Sequence, residues 1–303
     1  MPGLYADLDE ADVIVLVGSN LAWCHPVLYQ RIAAAKKARP GMKVVNIDPR
    51  RTATSDIADT HLSIAPGGDV ALFNGLLAEI AAQGAVDADF VANHVSGFEA
   101  ALAAATGTDL SVTGLSGEEL AAFFRLWIGS EKVVTIYSQG VNQSSFGTDK
   151  VNAITNCHLA TGRIGKPGMG PFSVTGQPNA MGGREVGGLA NMLACHLDIE
   201  NPEHRSAVRE FWDAPTMPEV AGLKAVDMFR AVGEGRIKAI WVICTNPAVS
   251  LPDADGVRAA IEGCDFVVVS DITAQTDTAQ LADVLLPATG WGEKDGTVTN
   301  SER

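Results

Sequence analysis

Apolar positions fall into short runs along this chain, and polar turn residues close each of them. Residues 12–18, DVIVLVG, are an unbroken β-branched and leucine run, the pattern of a strand buried on both faces of a parallel sheet. Residues 19–25 read as a loop. Pro26 suits the first turn of a helix, which places Leu28, Ile32 and Ala35 on one face and runs to about Arg39 before Pro40-Gly41. The next strand covers 43–47 and closes on Asp48-Pro49-Arg50-Arg51, completing a βαβ unit. A strand or small hairpin over 61–64 leads through Pro66-Gly67-Gly68 to a helix over 70–82, for which Asp69 is the simplest N-cap. Two or three alanine-rich helices occupy 85–130. A strand over 132–137 then ends in Ser138-Gln139-Gly140, and a helix follows over 151–159.

Residues 162–188 change character. Glycine and proline are dense enough there to resist both helix and strand, so a long ordered loop crossing between two domains is expected. Beyond it the α/β theme returns: a helix over 225–234, a strand over 239–244 ending in Thr245-Asn246-Pro247, a helix over 254–262, and a strand over 266–269 ending in Ser270-Asp271. The pattern predicts an α/β protein with two doubly wound, Rossmann-like domains, the first at 1–174 and an incomplete second at 175–303.

Composition narrows the partners. A chain of 303 residues, 47% hydrophobic and with 31 glycines, has ample core for such a fold. No apolar run reaches the roughly 18 residues of a membrane span, and the first residues, MPGLYADLDEADV, lack a secretory signal. A formal charge of −14 argues against a general nucleic-acid binder. Cys24, Cys157, Cys195, Cys244 and Cys264 form no CxxC pair, which predicts buried free thiols in a reducing compartment, with cytoplasm as the default. His25, His61 and His158 match no local metal-ligand spacing, and no G-x-S-x-G elbow supports hydrolysis.

The candidate chemistry lies at strand ends, where open α/β sheets bind ligands. Gly18-Ser19-Asn20 lets a phosphate approach backbone N–H groups near a helix start, although it is no G-x-G-x-x-G. Asp48 sits where such folds bind a ribose or base edge, and serves equally well as a turn residue before Pro49. Arg50 and Arg51 offer forked donors.

The segments ADVIVLVGSNLAWCHP, VVNIDPRRT, GGDVAL, YSQGVNQ, NCHLATGRIGKPGMGPFSVTGQPNAMGGREVGG, VICTNPAVS and the tail from residue 267 resemble the molybdopterin-dependent oxidoreductases. Within them the likeness is to nitrate reductase catalytic subunits of the assimilatory, cytoplasmic type. It extends over 11–303, and Arg184-Glu185-Val186-Gly187 sets it apart from formate dehydrogenases. The resemblance implies one pterin guanine dinucleotide contacted by Gly18, Ser19, Asn20, Asp48, Arg50 and Asp69, with Gln139 and Gln143 at pterin or pyrophosphate atoms. Relatives often carry Met where Gln139 stands. Asn246, Ser270, Asp271 and Lys294 would serve a second dinucleotide, and Arg184, with Thr175 and Gln177, would face nitrate. The molybdenum ion would be held by these two pterins and by a cysteine that, like the four cysteines of a [4Fe–4S] cluster, is expected ahead of Met1. A closing C-terminal domain is missing from the family pattern, so the chain alone is expected to be inactive. An electron-donor protein or domain is implied as partner. Two rival readings stand beside this one: another family member such as a formate dehydrogenase, and a non-catalytic nucleotide-binding module.

Overall fold

The computed structural model describes residues 3–177 and 179–299, and the chain separates into two compact units that meet in sequence just before Asn179. In the first unit β1 (Val13–Val17), β2 (Lys43–Ile47), β3 (Thr60–Leu62), β4 (Val133–Tyr137) and β5 (Gly170–Ser173) form one all-parallel sheet, ordered β3-β2-β1-β4-β5. All five residues of β1 are buried, as a central strand between two helical layers requires.

Strand alternation sorts the core into those layers. Val13, Val15 and Val17 point with Val45 and Ile47 into a cluster closed by Leu72, Phe73 and Leu76 of the helix Asp69–Ala82, Phe123 and Trp127 of the helix Gly117–Gly129, and Ile154 of the helix Gly147–Ala160. Ile14 and Leu16 point the other way, with Val44, Val134 and Ile136, onto Leu28 and Ile32 of the helix Pro26–Ala38. Chain order reverses between β1 and β4, which leaves a crevice at their carboxyl ends.

In the second unit β6 (Ala239–Ile243), β7 (Phe266–Asp271) and β8 (Val284–Pro287) are parallel and ordered β6-β7-β8. Phe229 and Val232 of the helix Ala225–Gly233 and Val257 and Ile261 of the helix Ala254–Glu262 cover one face of this sheet. The other face leaves Trp241, Ile243, Phe266 and Leu286 exposed.

Several expectations need correcting. Residues 162–188 are not one loop: Gly170–Ser173 is a strand paired in parallel with β4, and Ala180–Glu185 is a short helix. Pro171 is tolerated because β5 lies at the sheet edge, where a missing N–H costs no ladder bond on the open side. The loop after β1 contains a helical turn, Leu21–Cys24. Asp69 is the first residue of its helix rather than the cap; Gly68 holds the cap position, without a side-chain bond. The second sheet, with its three strands in chain order, has no reversal among the described residues and so is not doubly wound there. Only Cys157 of the five thiols is buried; Cys24, Cys195 and Cys244 are exposed and Cys264 is half-buried.

Candidate functional site

The loops leaving β1, β2, β4 and β5 converge at the carboxyl end of the first sheet. Parallel register sets Val17 beside both Ile47 and Tyr137, so the next residues of three strands emerge at one level. Gly18 leaves β1 at φ +51°, a region that favours glycine. A Cβ added at Gly18 would lie 2.9 Å from the Cα of Gly140, and the Gly140 N–H donates to the Gly18 carbonyl at 2.9 Å. Neither position can carry a side chain without displacing the other backbone, and this close approach lies at the reversal between β1 and β4.

Two hydroxyls flank it. Ser19 is 3% exposed and Ser138 1% exposed, and neither Oγ has a hydrogen-bond partner among the described residues. Buried polar atoms are rarely left unpaired, so an oxygen-rich ligand at this crevice would answer an existing deficit. Asn20, at φ +38°, lies with its Oδ1 3.5 Å from Thr54 Oγ1, which also accepts from the Ala22 N–H at 3.0 Å. That ties the β1 loop to the β2 loop.

Asp48 is buried, and its Oδ1 accepts the Arg50 N–H at 2.9 Å. The turn reading therefore holds, with Asp48 still at the strand end. Arg50 is exposed. Behind Asp48, the Asn46 amide donates to His61 Nδ1 at 3.1 Å and to Ser55 Oγ at 3.0 Å. Burial first, and the charge of Arg51 second, push the His61 pKa below its ordinary value, against the pull of Asp48. A neutral imidazole with Nδ1 accepting fits that direction.

Asp69 has a partner that the sequence did not announce. Its Oδ2 lies 2.8 Å from Lys150 Nζ, both residues are buried, and Lys150 also reaches the Gly140 carbonyl at 3.4 Å. A buried ion pair thus stands under the Gly18–Gly140 approach. Gln139 donates through Nε2 to Gln177 Oε1 at 2.7 Å, and the Thr175 hydroxyl donates to the same oxygen. Gln143 is exposed at the end of the helix Gln139–Asn142. The structure therefore brings Gln139, Thr175 and Gln177 into one cluster. It adds His25, whose Nε2 lies 2.8 Å from the Thr175 carbonyl oxygen.

In the second unit, Asn246 Oδ1 accepts from the Thr278 N–H at 3.1 Å and from its hydroxyl at 2.7 Å. Thr278, fully buried, in turn accepts the Ala248 N–H at 3.1 Å. Ser270 accepts the Trp241 indole N–H at 2.9 Å, and Asp271 accepts the Ile272 N–H at 2.7 Å and the Thr276 hydroxyl at 3.2 Å. These three stand at the carboxyl ends of β6 and β7 but are already engaged in fixing loops. Lys294 is exposed. Arg184 is exposed on the helix Ala180–Glu185 and pairs with no carboxylate among the described residues; the neighbouring Glu185 accepts the Thr299 hydroxyl instead, at 2.8 Å. No cluster of three or more His, Cys, Asp or Glu side chains suited to a metal ion occurs among the described residues. No helix among them is long and apolar enough to cross a membrane.

Sequence reasoning missed Ser138, His25 and Lys150. Ser138 directly follows a buried strand, which is a usable signal, and His25 lies in the β1 loop just before Pro26, whereas nothing local marks Lys150 as the partner of Asp69.

A parallel sheet of this order, with a glycine-lined crevice at its reversal, is a doubly wound α/β fold, a class in which ligands bind at such a crevice. The molybdopterin oxidoreductase family model matches residues 4–303, and the chain belongs to that family. It is 52% identical over 307 residues to a nitrate reductase of Klebsiella oxytoca, an alignment covering 100% of this chain and 35% of that protein. A formate dehydrogenase subunit alpha of Methanocaldococcus jannaschii is 37% identical over 301 residues, covering 98% of this chain and 44% of its own length. Among solved structures, acetylene hydratase from Pelobacter acetylenicus superposes with a TM-score of 0.70 at 20% identity, over 96% of this chain and 44% of that one, a likeness of fold alone. The chain thus spans about a third of the length of the nitrate reductase it matches.

Proposed function

We propose that this chain is part of the catalytic subunit of a molybdenum-dependent nitrate reductase whose activity belongs to a longer polypeptide. The observation that carries the reading is the crevice at the β1/β4 reversal, where Gly18 and Gly140 meet backbone to backbone beside the hydroxyls of Ser19 and Ser138, which have no hydrogen-bond partner among the described residues. Those features fit the phosphate-bearing part of a dinucleotide. Gly18, Ser19 and Asn20 would receive one pterin guanine dinucleotide there. Asp48, an acceptor-only carboxylate, suits the N–H edge of guanine, with Arg50 beside it. Gln139 and Gln143 would meet pterin or pyrophosphate atoms. Asp69 would act through its pair with Lys150 unless that pair opens. Asn246, Ser270, Asp271 and Lys294 would serve a second dinucleotide.

The bound molybdenum group would supply the two-electron, oxygen-atom-transfer chemistry that turns nitrate into nitrite. This chain's residues would orient it and draw the anion in. Arg184 would offer a guanidinium fork to a planar trigonal anion, and Thr175 and Gln177 are the further candidate substrate contacts. A [4Fe–4S] cluster and the cysteine on molybdenum would come from sequence outside this chain, an electron-donor protein or domain would feed them, and the cytoplasm is the proposed compartment.

Identity favours nitrate over formate, 52% against 37%. The second of these keeps formate dehydrogenase as the rival. The deciding experiment is to express the complete polypeptide, verify molybdenum loading, and assay it with nitrate and with formate. Nitrate reduction without formate oxidation is expected; the reverse result would replace this reading with the rival.

A further inference from the structure

His25 joins two loops that are 150 residues apart in sequence, and no other side-chain bond made by the β1 loop reaches the β5 exit among the described residues. Its Nε2 lies 2.8 Å from the Thr175 carbonyl oxygen. A carbonyl oxygen only accepts, so Nε2 must carry the hydrogen and donate. The other ring nitrogen, Nδ1, is buried and has no partner among the described residues. The ring is therefore held through a single bond, and that bond ends on the backbone of the 175–177 turn.

The turn is also organised within itself. The Gln177 N–H reaches back to Thr175 Oγ1 at 3.4 Å, while the Thr175 hydroxyl donates to Gln177 Oε1. Gln139 Nε2 donates to that same oxygen at 2.7 Å. Two donors meet Gln177 Oε1, and turning the amide over would set its NH2 against the NH2 of Gln139. Its Nε2 hydrogens are left without a partner among the described residues. An amide whose oxygen is engaged from two sides presents a pair of neutral donors, which suits an oxyanion and offers nothing to a cation.

We propose that His25 is a positioning residue that clamps the 175–177 turn, so that Gln177, set by Thr175 and Gln139, shows a two-donor face to an oxyanion. The clamp stands on this geometry; the oxyanion rests on the function proposed above, which supplies two sources, nitrate or the pyrophosphate of a dinucleotide. Imidazole suits this clamping role because it carries a ring donor at the end of a short side chain, with few rotamers to lose.

The test uses the 303-residue chain labelled with 15N, and it reads backbone order at Gly176 and Gln177 together with the Gln177 side-chain amide signals. A rigid turn has an order parameter near ~0.85, and a loose one falls below ~0.6. His25→Phe keeps a ring and removes the donor, and it should loosen the turn to the lower value. His25→Gln places a side-chain N–H donor at similar reach and should stay near wild type. Gln139→Glu, which has no amide hydrogen to give, should release the Gln177 side chain while the backbone stays ordered. An ordered turn in His25→Phe, or equal loosening of the backbone in Gln139→Glu, would overturn the clamp. If His25→Phe does not fold, His25→Ala, which also removes the donor, is read in its place: a loosened turn is expected, and an ordered one overturns the clamp. Sodium nitrate and inorganic pyrophosphate are then titrated separately while the Gln177 side-chain signals are followed. A shift with nitrate assigns the donor face to substrate, and a shift with pyrophosphate assigns it to the cofactor. No shift with either removes the oxyanion role even where the clamp stands. None of these readings depends on turnover, so a failed clamp and a failed nitrate assignment remain separate results.

Discussion

Gly140 donates its N–H to the Gly18 carbonyl at 2.9 Å, and a Cβ on Gly140 would lie 2.8 Å from the Gly18 Cα. Two strand-end loops therefore touch backbone to backbone at the point where sheet order reverses. Gly140→Ala forces one of them to move. The obstacle is main chain rather than a flexible side-chain tip, so the cost should resemble overpacking, about 1–3 kcal/mol. Urea unfolding of the variant chain measures it. Wild-type stability for Gly140→Ala would mean that the two loops stand further apart than a backbone contact.

The sequence made the central strands legible and left the contacts between loops hidden, for physical reasons. Val13–Val17 and Val133–Tyr137 are buried on both faces, so their residues are uniformly apolar and stand out. Gly170–Ser173 did not stand out, because an edge strand tolerates the glycine and proline that normally argue against one. Val284–Pro287 was missed for its shortness and its exposed residues. Strand-end positions such as Gly18 and Asp48 could be placed from the pattern alone. Their working partners could not: Lys150 for Asp69 and His25 for Thr175 depend on how distant loops fold back, which no local periodicity encodes.

Lys150 and Asp69 form a buried pair at 2.8 Å, and each depends on the other. Lys150→Met leaves a carboxylate buried without its counter-charge, and breaking such a pair typically costs about 3–5 kcal/mol. Lys150→Met combined with Asp69→Leu removes both charges and should recover much of that loss. Denaturant midpoints of the single and double variants check the sign. A double variant as unstable as the single one would show that packing, rather than charge, holds the junction beneath Gly140.

His158 is fully buried, and burial first, then the charge of Arg163, pushes its pKa down to about 3. Its Nε2 lies 2.8 Å from Thr135 Oγ1. The folded value lies below the unfolded one, near ~6.5, so the unfolded chain binds the extra proton between the two. This contribution to stability is complete above the unfolded value and is lost as pH falls from about 6.5 towards about 3. The slope should approach about 1.4 kcal/mol per pH unit within that window. His158→Gln does not titrate there, and its stability should depend less steeply on pH than that of wild type. Parallel pH profiles for the two proteins would remove His158 as the cause.

Under the proposed function, Arg184 would meet nitrate. It is exposed and without a carboxylate partner among the described residues, while its neighbour Glu185 is taken up by Thr299. A local surface ion pair therefore does not explain it. A protein with a net charge of −14 repels small anions at long range, so nitrate needs a local cation to approach. A guanidinium can engage a planar anion through two N–H donors, whereas an ammonium supplies only charge. In the complete enzyme Arg184→Lys should therefore lose part of the nitrate turnover and Arg184→Ala more. Hydrogen bonds to charged groups contribute about 1.5–3 kcal/mol, which corresponds to a fall in kcat/KM of roughly ten- to a hundredfold for the alanine variant. Molybdenum content should be equal in all three proteins, which separates substrate handling from cofactor loss. Wild-type kcat/KM in Arg184→Ala at full loading would show that Arg184 does not meet nitrate.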